Sequence, residues 1–196
     1  MKPFVSQDIA QFSDRYGLFN ALVTPRPIAL VTTLGRNGVV NAAPFSYFNM
    51  VCVNPAVLSI AVQRKDGQLK DTARNIFDSK EFVVNICSVD MAKQITIAGG
   101  DYPPEVSEIE MAKLSLQPSD RITAPRVAGS LGQMECVLSQ IVPIGDGKAD
   151  LILGEVVRVH LNPEILDSKG RIDVKKLDPL SRLAGADYGR TTPFSA

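Results

Sequence analysis

Apolar residues recur along this chain in short runs bounded by Gly, Pro and Asn, a pattern of strands rather than of long helices. The clearest runs are "PIALVTTL" (27–34), "VVNAA" (39–43), "AVLSIAV" (56–62) and "EFVVNIC" (81–87), followed by "GQMECVLSQIVPI" (132–144) and "ADLILGEVVRVHL" (149–161). Val, Ile and Thr dominate them, as half-buried pleated surfaces prefer. "GRNG" (35–38) joins the first two as a tight hairpin, because Asn and Gly tolerate positive φ, and "GDGK" (145–148) does the same for the last two. Short connections imply antiparallel neighbours. The pattern therefore predicts a mainly β chain, an antiparallel barrel with inserted helices.

Two segments switch to a helical period. "KDTARNIFDS" (70–79) places Ala73, Ile76 and Phe77 on one face, with Asp71 or Thr72 positioned to cap its start. "SVDMAKQITIAGG" (88–100) has Ser88 at its N-cap, Met91 and Ile95 facing inward, and Gly99-Gly100 as its stop. The Pro-rich, polar stretch 101–130 is expected to wrap the surface, and the tail 162–196 reads as irregular. The whole, 1–196, is read as a single domain with its core over about 20–161.

One stretch breaks the strand pattern. "NAAPFSYFNMVCVNP" (41–55) sets Pro44, Ser46 and Asn49 among strand-forming residues. Pro44 removes a ladder donor, and Asn49 brings an amide that needs partners. Backbone N–H and C=O groups freed there suit the edge of a flat heterocycle. Tyr47 and Phe48 are placed to line its faces, with barrel core as the plainer reading of Phe48.

Composition narrows the function. The 21 basic residues balance the 21 acidic ones, so no overall field points to nucleic acid or to an anionic membrane. The first residues are too polar for a signal peptide, and no apolar run approaches the ~20 residues of a membrane span. A soluble cytoplasmic protein is expected. Cys52, Cys87 and Cys136 are scattered in strand-like settings, which predicts three buried, reduced thiols. With no CxxC pair and one histidine, His160 at a strand end, little material exists for a zinc site or a Ser-His-Asp system. No phosphate-loop or GxGxxG motif follows a strand. Glu108 and Glu110 lie in an acidic segment that reads as solvated charge.

What remains is basic. "VQRKDGQLKDTARN" (62–75) concentrates Arg64, Lys65, Lys70 and Arg74 beside a helix start, with Thr72 and Asn75 as neutral donors. Free N–H groups and partial positive charge at such a start suit a phosphate. An ordinary solvated helix is the competing reading.

In these residues a resemblance becomes visible. "PRPIALVTTLGRNGVVNAAPFSYFNMVCVNP", then "KDTARNI", "EFVVN", "PRV" with "MEC", "LILGEVVRVH" and "SRLAGADY" resemble, in order, the flavin reductase-like family of FMN-binding split barrels, the group that includes flavoredoxin. The glycine pair usual before the tail tyrosine is Ala184-Gly185 here. The resemblance implies a split barrel of six or more strands, a homodimer, and FMN near the subunit interface. It assigns the flavin-contacting segment to Pro44, Ser46, Tyr47, Phe48 and Asn49. Arg64, Lys70, Asp71, Thr72 and Asn75 fall at or beside the phosphate end, Asp71 as a helix cap or as the orienter of Lys70. Arg26 matches the family's opening motif.

No acid, base or nucleophile stands out, as expected where a flavin carries the chemistry. The implied function is an FMN-binding oxidoreductase that passes hydride from NADH or NADPH to flavin, with a small-molecule or protein electron acceptor. Two alternatives stand beside it: an FMN-carrying electron-transfer protein, and a flavin-dependent oxygenase or reductase of a small molecule.

Overall fold

The computed structural model describes residues 6–194. Helix α1 (Arg15–Leu22) comes first, capped by the Asp14 carboxylate, which accepts from Gly17 N at 2.7 Å. Strands β1 (Arg26–Pro27), β2 (Ala29–Leu34), β3 (Val40–Phe45), β4 (Phe48–Val53) and β5 (Ala56–Gln63) follow. Helix α2 (Asp71–Ser79), strand β6 (Glu81–Ile86), helices α3 (Ala92–Ala98) and α4 (Glu108–Met111), and strands β7 (Ser115–Gln117) and β8 (Arg126–Ala128) come next. The hairpin β9 (Gly132–Ile144) and β10 (Ala149–Leu161) leads to α5 (Val174–Leu177), β11 (Leu180–Arg182) and β12 (Tyr188–Arg190).

Seven strands form one sheet in the order β3-β2-β6-β9-β10-β5-β4, every neighbouring pair antiparallel. Its two edge strands, β3 and β4, are consecutive in the chain and separated only by Ser46 and Tyr47. Two residues cannot bridge the edges of a flat seven-stranded sheet, so the sheet curls into a barrel with a seam. This is the expected split antiparallel barrel with inserted helices. The anomalous stretch 41–55 resolves into two edge strands meeting at that seam, where Pro44 costs no interior ladder bond and β4 shifts register against β5 between Met50 and Cys52.

Alternation assigns each strand two faces. Ala29 and Val31 of β2, Phe82 and Val84 of β6, Leu58, Ile60 and Val62 of β5, and Ile152 of β10 fill the barrel. Ala73 and Ile76 of α2 join this cluster, so the apolar face of that helix packs into the barrel core. The opposite face of β2, with Ile28 and Leu30, is covered by Met91, Ile95 and Ala98 around α3, by Ile109 of α4 and by Val127 of β8. Gly154 of β10 is required by packing: a Cβ there would lie 2.2 Å from Cζ of Phe82.

Several expectations need correction. Helix α2 is capped by extended Lys70, whose side chain makes no capping bond, rather than by Asp71 or Thr72. Ser88 heads the turn before α3, but its hydroxyl pairs with the Asp90 carboxylate instead of a backbone N–H. The tail is not irregular throughout, since β11 pairs with β1 on one side and β12 on the other in a three-stranded sheet. Glu108 is buried, because its carboxylate accepts from Asn41 Nδ2 (2.7 Å) and Ala42 N (3.0 Å), covering the free edge of β3. Cys87 and Cys136 are buried, and desolvation pushes both thiols up to about 12; Cys52, on edge strand β4, is exposed.

The segment 118–125 is latched to the barrel by two acids. Fully buried Glu135 accepts from Asp120 N (2.8 Å) and Arg121 N (2.7 Å) and meets His160 Nε2 at 2.6 Å. Glu81 accepts from the N–H and hydroxyl of Thr123. Burial alone would raise the Glu135 carboxyl, yet the backbone donors and the His160 ring outweigh it and hold it below the ordinary range.

Candidate functional site

The start of α2, the edge strand β3 and the glycines ending α3 enclose a cleft of about 430 Å³. Each wall follows from local sequence. Pro44 keeps β3 an edge, Gly99-Gly100 ends α3 without side chains, and extended Lys70 turns the chain abruptly into α2. No side chain caps α2, so the N–H groups of Asp71, Thr72 and Ala73 have no helical acceptor. Their partial positive charge faces the cleft.

The charges in the cleft are mostly matched. Arg74 pairs with Asp71, Lys65 with Asp101, and Glu108 is held by the edge of β3. Asp66 is exposed at the mouth. Lys70, also in the cleft, makes no ion pair among the described residues. A buried polar network lies beneath. The Thr72 hydroxyl donates to Asn41 Oδ1 at 2.8 Å, and Asn75 Nδ2 donates to Thr33 Oγ1 at 3.0 Å. Thr72 therefore offers a ligand its backbone N–H, while its hydroxyl proton is already used.

A second chamber of about 370 Å³ lies beyond a saddle formed by Pro44 and Gly99. A Cβ on Gly99 would sit 3.3 Å from Pro44 Cγ, which shows how closely the two elements meet. Ser46 lines this chamber, and its hydroxyl lies 3.3 Å from Arg26 Nε. Arg26 is buried and donates to the carbonyls of Asn20, Val23 and Leu183, bracing α1 and the tail against the seam. That is the contact behind the "PRP" motif. A third recess of about 210 Å³, past α2, is lined by Asn75 together with Asp71 and Arg74.

The structure thus brings Pro44, Lys70, Asp71 and Thr72 into one cleft, with Ser46 and Asn75 in the adjoining recesses. The other sequence-derived residues lie elsewhere in this chain. Tyr47 is half-exposed at the seam, its hydroxyl 3.3 Å from Asn20 Oδ1. Phe48 packs against the barrel core. Asn49 is exposed and accepts from Met50 N at 2.8 Å. Arg64 is committed to buried Asp150 by two bonds of 2.8 Å, so its guanidinium is held at the β5–β10 ladder. Tyr102, which lines the first chamber, was not singled out from sequence, while Arg182 and Tyr188, which line the second, entered only through the tail stretch "SRLAGADY" with no role assigned.

Comparison with known proteins follows the same outline. Residues 21–176 match the sequence model described as "Flavin reductase like domain". An uncharacterized protein of Aquifex aeolicus is 41% identical over 174 residues, which span 88% of each chain. The crystal structure of nitrilotriacetate monooxygenase component B from Bacillus cereus superposes with a TM-score of 0.96 at 38% identity, covering 100% of both chains. The 2-nitrobenzoate 2-nitroreductase of Pseudomonas fluorescens gives 0.88 at 33% identity, covering 98% of this chain and 94% of its own.

Proposed function

The chain belongs to the flavin reductase-like family, and on that premise we propose that it is an FMN-binding oxidoreductase that draws hydride from NADH or NADPH. The observation that carries this reading is the uncapped start of α2, opening into a cleft beside Lys70. A dianionic phosphate suits that place, because the start of α2 has backbone N–H groups with no helical acceptor and Lys70 lines the same cleft with no ion pair among the described residues. The flavin ring would be held between Pro44 and the glycines that end α3, where the lack of side chains would admit a flat heterocycle. Bound flavin supplies the redox chemistry. Lys70 and the α2 backbone bind, the Asn41–Thr72–Glu108 network holds the cleft wall rigid, and Pro44 with Gly99 sets where the ring ends. No side chain needs to move a proton for hydride transfer.

Assembly belongs to the same reading. Tyr16, Phe19 and Leu22 of α1 and Met50, Val51 and Val53 of β4 leave large side chains in solvent, Val53 at 76% exposure. Such an area is best covered by a second copy, so the protein acts as a cytoplasmic homodimer. Among the described residues no helix is long and apolar enough to cross a membrane. The electron acceptor is a small molecule or a protein.

Anaerobic mixing tests the reading. The FMN-loaded protein should bleach with NADH or NADPH, and FMN should raise its melting temperature. Stabilisation without bleaching points to an electron carrier. No stabilisation and no flavin retained on gel filtration overturns the proposal.

A further inference from the structure

The chamber beyond the Pro44–Gly99 saddle has a chemistry of its own. Its floor is apolar, made by Ile28 and Ile95, both almost fully buried, and by the Pro44 ring. Tyr188 and Tyr16 stand at its walls, and the Thr96 hydroxyl lies 3.2 Å from that of Tyr188. Over the Tyr188 ring, 4.9 Å from its centroid, lies the guanidinium of Arg182. Arg182 donates to the carbonyls of Gly185 (2.7 Å) and Ala186 (3.4 Å) and makes no ion pair among the described residues. These carbonyls belong to the β11–β12 turn, whose root Arg26 ties down through Leu183 O at 3.0 Å.

A guanidinium held by neutral partners keeps its charge and part of its donor fork for something else. Stacking on a tyrosine and bonding to two carbonyls set its plane, so little entropy is lost when an anion arrives. An apolar floor with one fixed cation on the wall matches a flat ring carrying a negative group.

We propose that this chamber is the seat of the second substrate and that Arg182 recognises an anionic group attached to that substrate's ring system. The inference rests on the reading of the neighbouring cleft as the flavin site. Two sources share the chemistry, the pyrophosphate of a dinucleotide donor and the carboxylate of an aromatic acceptor. Arg182 is a specificity-determining residue for whichever enters.

Equilibrium binding to FMN-loaded protein tests this without any turnover. Three probes are titrated into wild type, Arg182→Gln and Arg182→Lys: NAD⁺, benzoate, and nicotinamide riboside, which has the ring without a phosphate. Arg182→Gln should weaken whichever anion binds by about tenfold, the loss of one charge-assisted hydrogen bond, and leave the riboside unchanged. Arg182→Lys should recover part of the loss. Selective loss for NAD⁺ identifies a dinucleotide, and selective loss for benzoate an aromatic acid. Equal losses for all three probes mean that Arg182 only props the turn, and the proposal falls. It falls too if Arg182→Gln changes nothing, or if wild type binds neither anion. Failure of NADH to bleach the flavin would count against the proposed function alone, because these titrations involve no reduction.

Discussion

Replacing Lys70 with methionine removes the one cation of the cleft that has no ion-pair partner among the described residues, while keeping its aliphatic bulk. A single charge-assisted bond to phosphate contributes roughly 1.5–3 kcal/mol, and about 1.4 kcal/mol is a tenfold change in Kd. The three N–H groups of α2 remain, and salt screens a partly open cleft over about 8 Å at physiological strength. The expected loss of FMN affinity is therefore in the lower part of that range, about 10- to 30-fold. Riboflavin has the same ring and no phosphate, so its weaker binding should change less than about twofold by the same reasoning. Two controls follow from the geometry. Arg64→Ala strands the buried Asp150 carboxylate, which should lower stability, seen as a reduced denaturant midpoint, while leaving FMN binding by the folded fraction intact. Thr72→Ser keeps the bond to Asn41 and should be nearly silent, whereas Thr72→Ala leaves Asn41 Oδ1 with only the longer 3.4 Å bond from Thr33 and should cost about 1 kcal/mol of stability. Fluorescence titration of each variant with both flavins at fixed salt separates these outcomes. Equal losses of FMN and riboflavin on Lys70→Met, or a selective loss of FMN on Arg64→Ala, would refute the placement of the phosphate.

Three further outcomes are expected from the same structure. Gly154→Ala drives a methyl group into the Phe82 ring and should destabilise the barrel by about 1–3 kcal/mol, visible as a lower denaturant midpoint; an unchanged midpoint contradicts the packing. The carboxyl of Glu135 is depressed in the folded state, so its contribution is full above its unfolded pKa of about 4.3 and is lost as pH falls through the lower folded value. Glu135→Gln should accordingly lose about 2–4 kcal/mol near neutrality, with the deficit shrinking below about pH 4, and a pH-independent deficit would exclude the ionised latch. In native protein no more than one thiol, that of Cys52, should react with a disulfide reagent, since Cys87 and Cys136 lie buried with thiols pushed up to about 12. Reaction of two or three without unfolding counts against the buried assignment.

Local pattern alone determined most of the strands, the two glycine-rich hairpins, and helix α2 with its apolar face, because period, propensity and turn chemistry are properties of neighbouring residues. The runs 132–144 and 149–161 coincide with β9 and β10. The basic stretch before α2 was also legible, since a helix start and its charges lie within a dozen residues. Which of those charges face a ligand was not. Arg64 and Lys70 look alike in sequence, yet Asp150, paired across the sheet 86 positions away, takes the first, while the second has no ion-pair partner among the described residues. Glu108 read as solvated because nothing nearby in sequence shows that the edge of β3 needs its carboxylate. Cys52 read as buried because a strand's apolar pattern cannot say that the strand is an edge. The second chamber exists only where residues near 44, 96 and 182 meet. Long-range pairing decides which polar groups are satisfied and which remain available, and that distinction places the site.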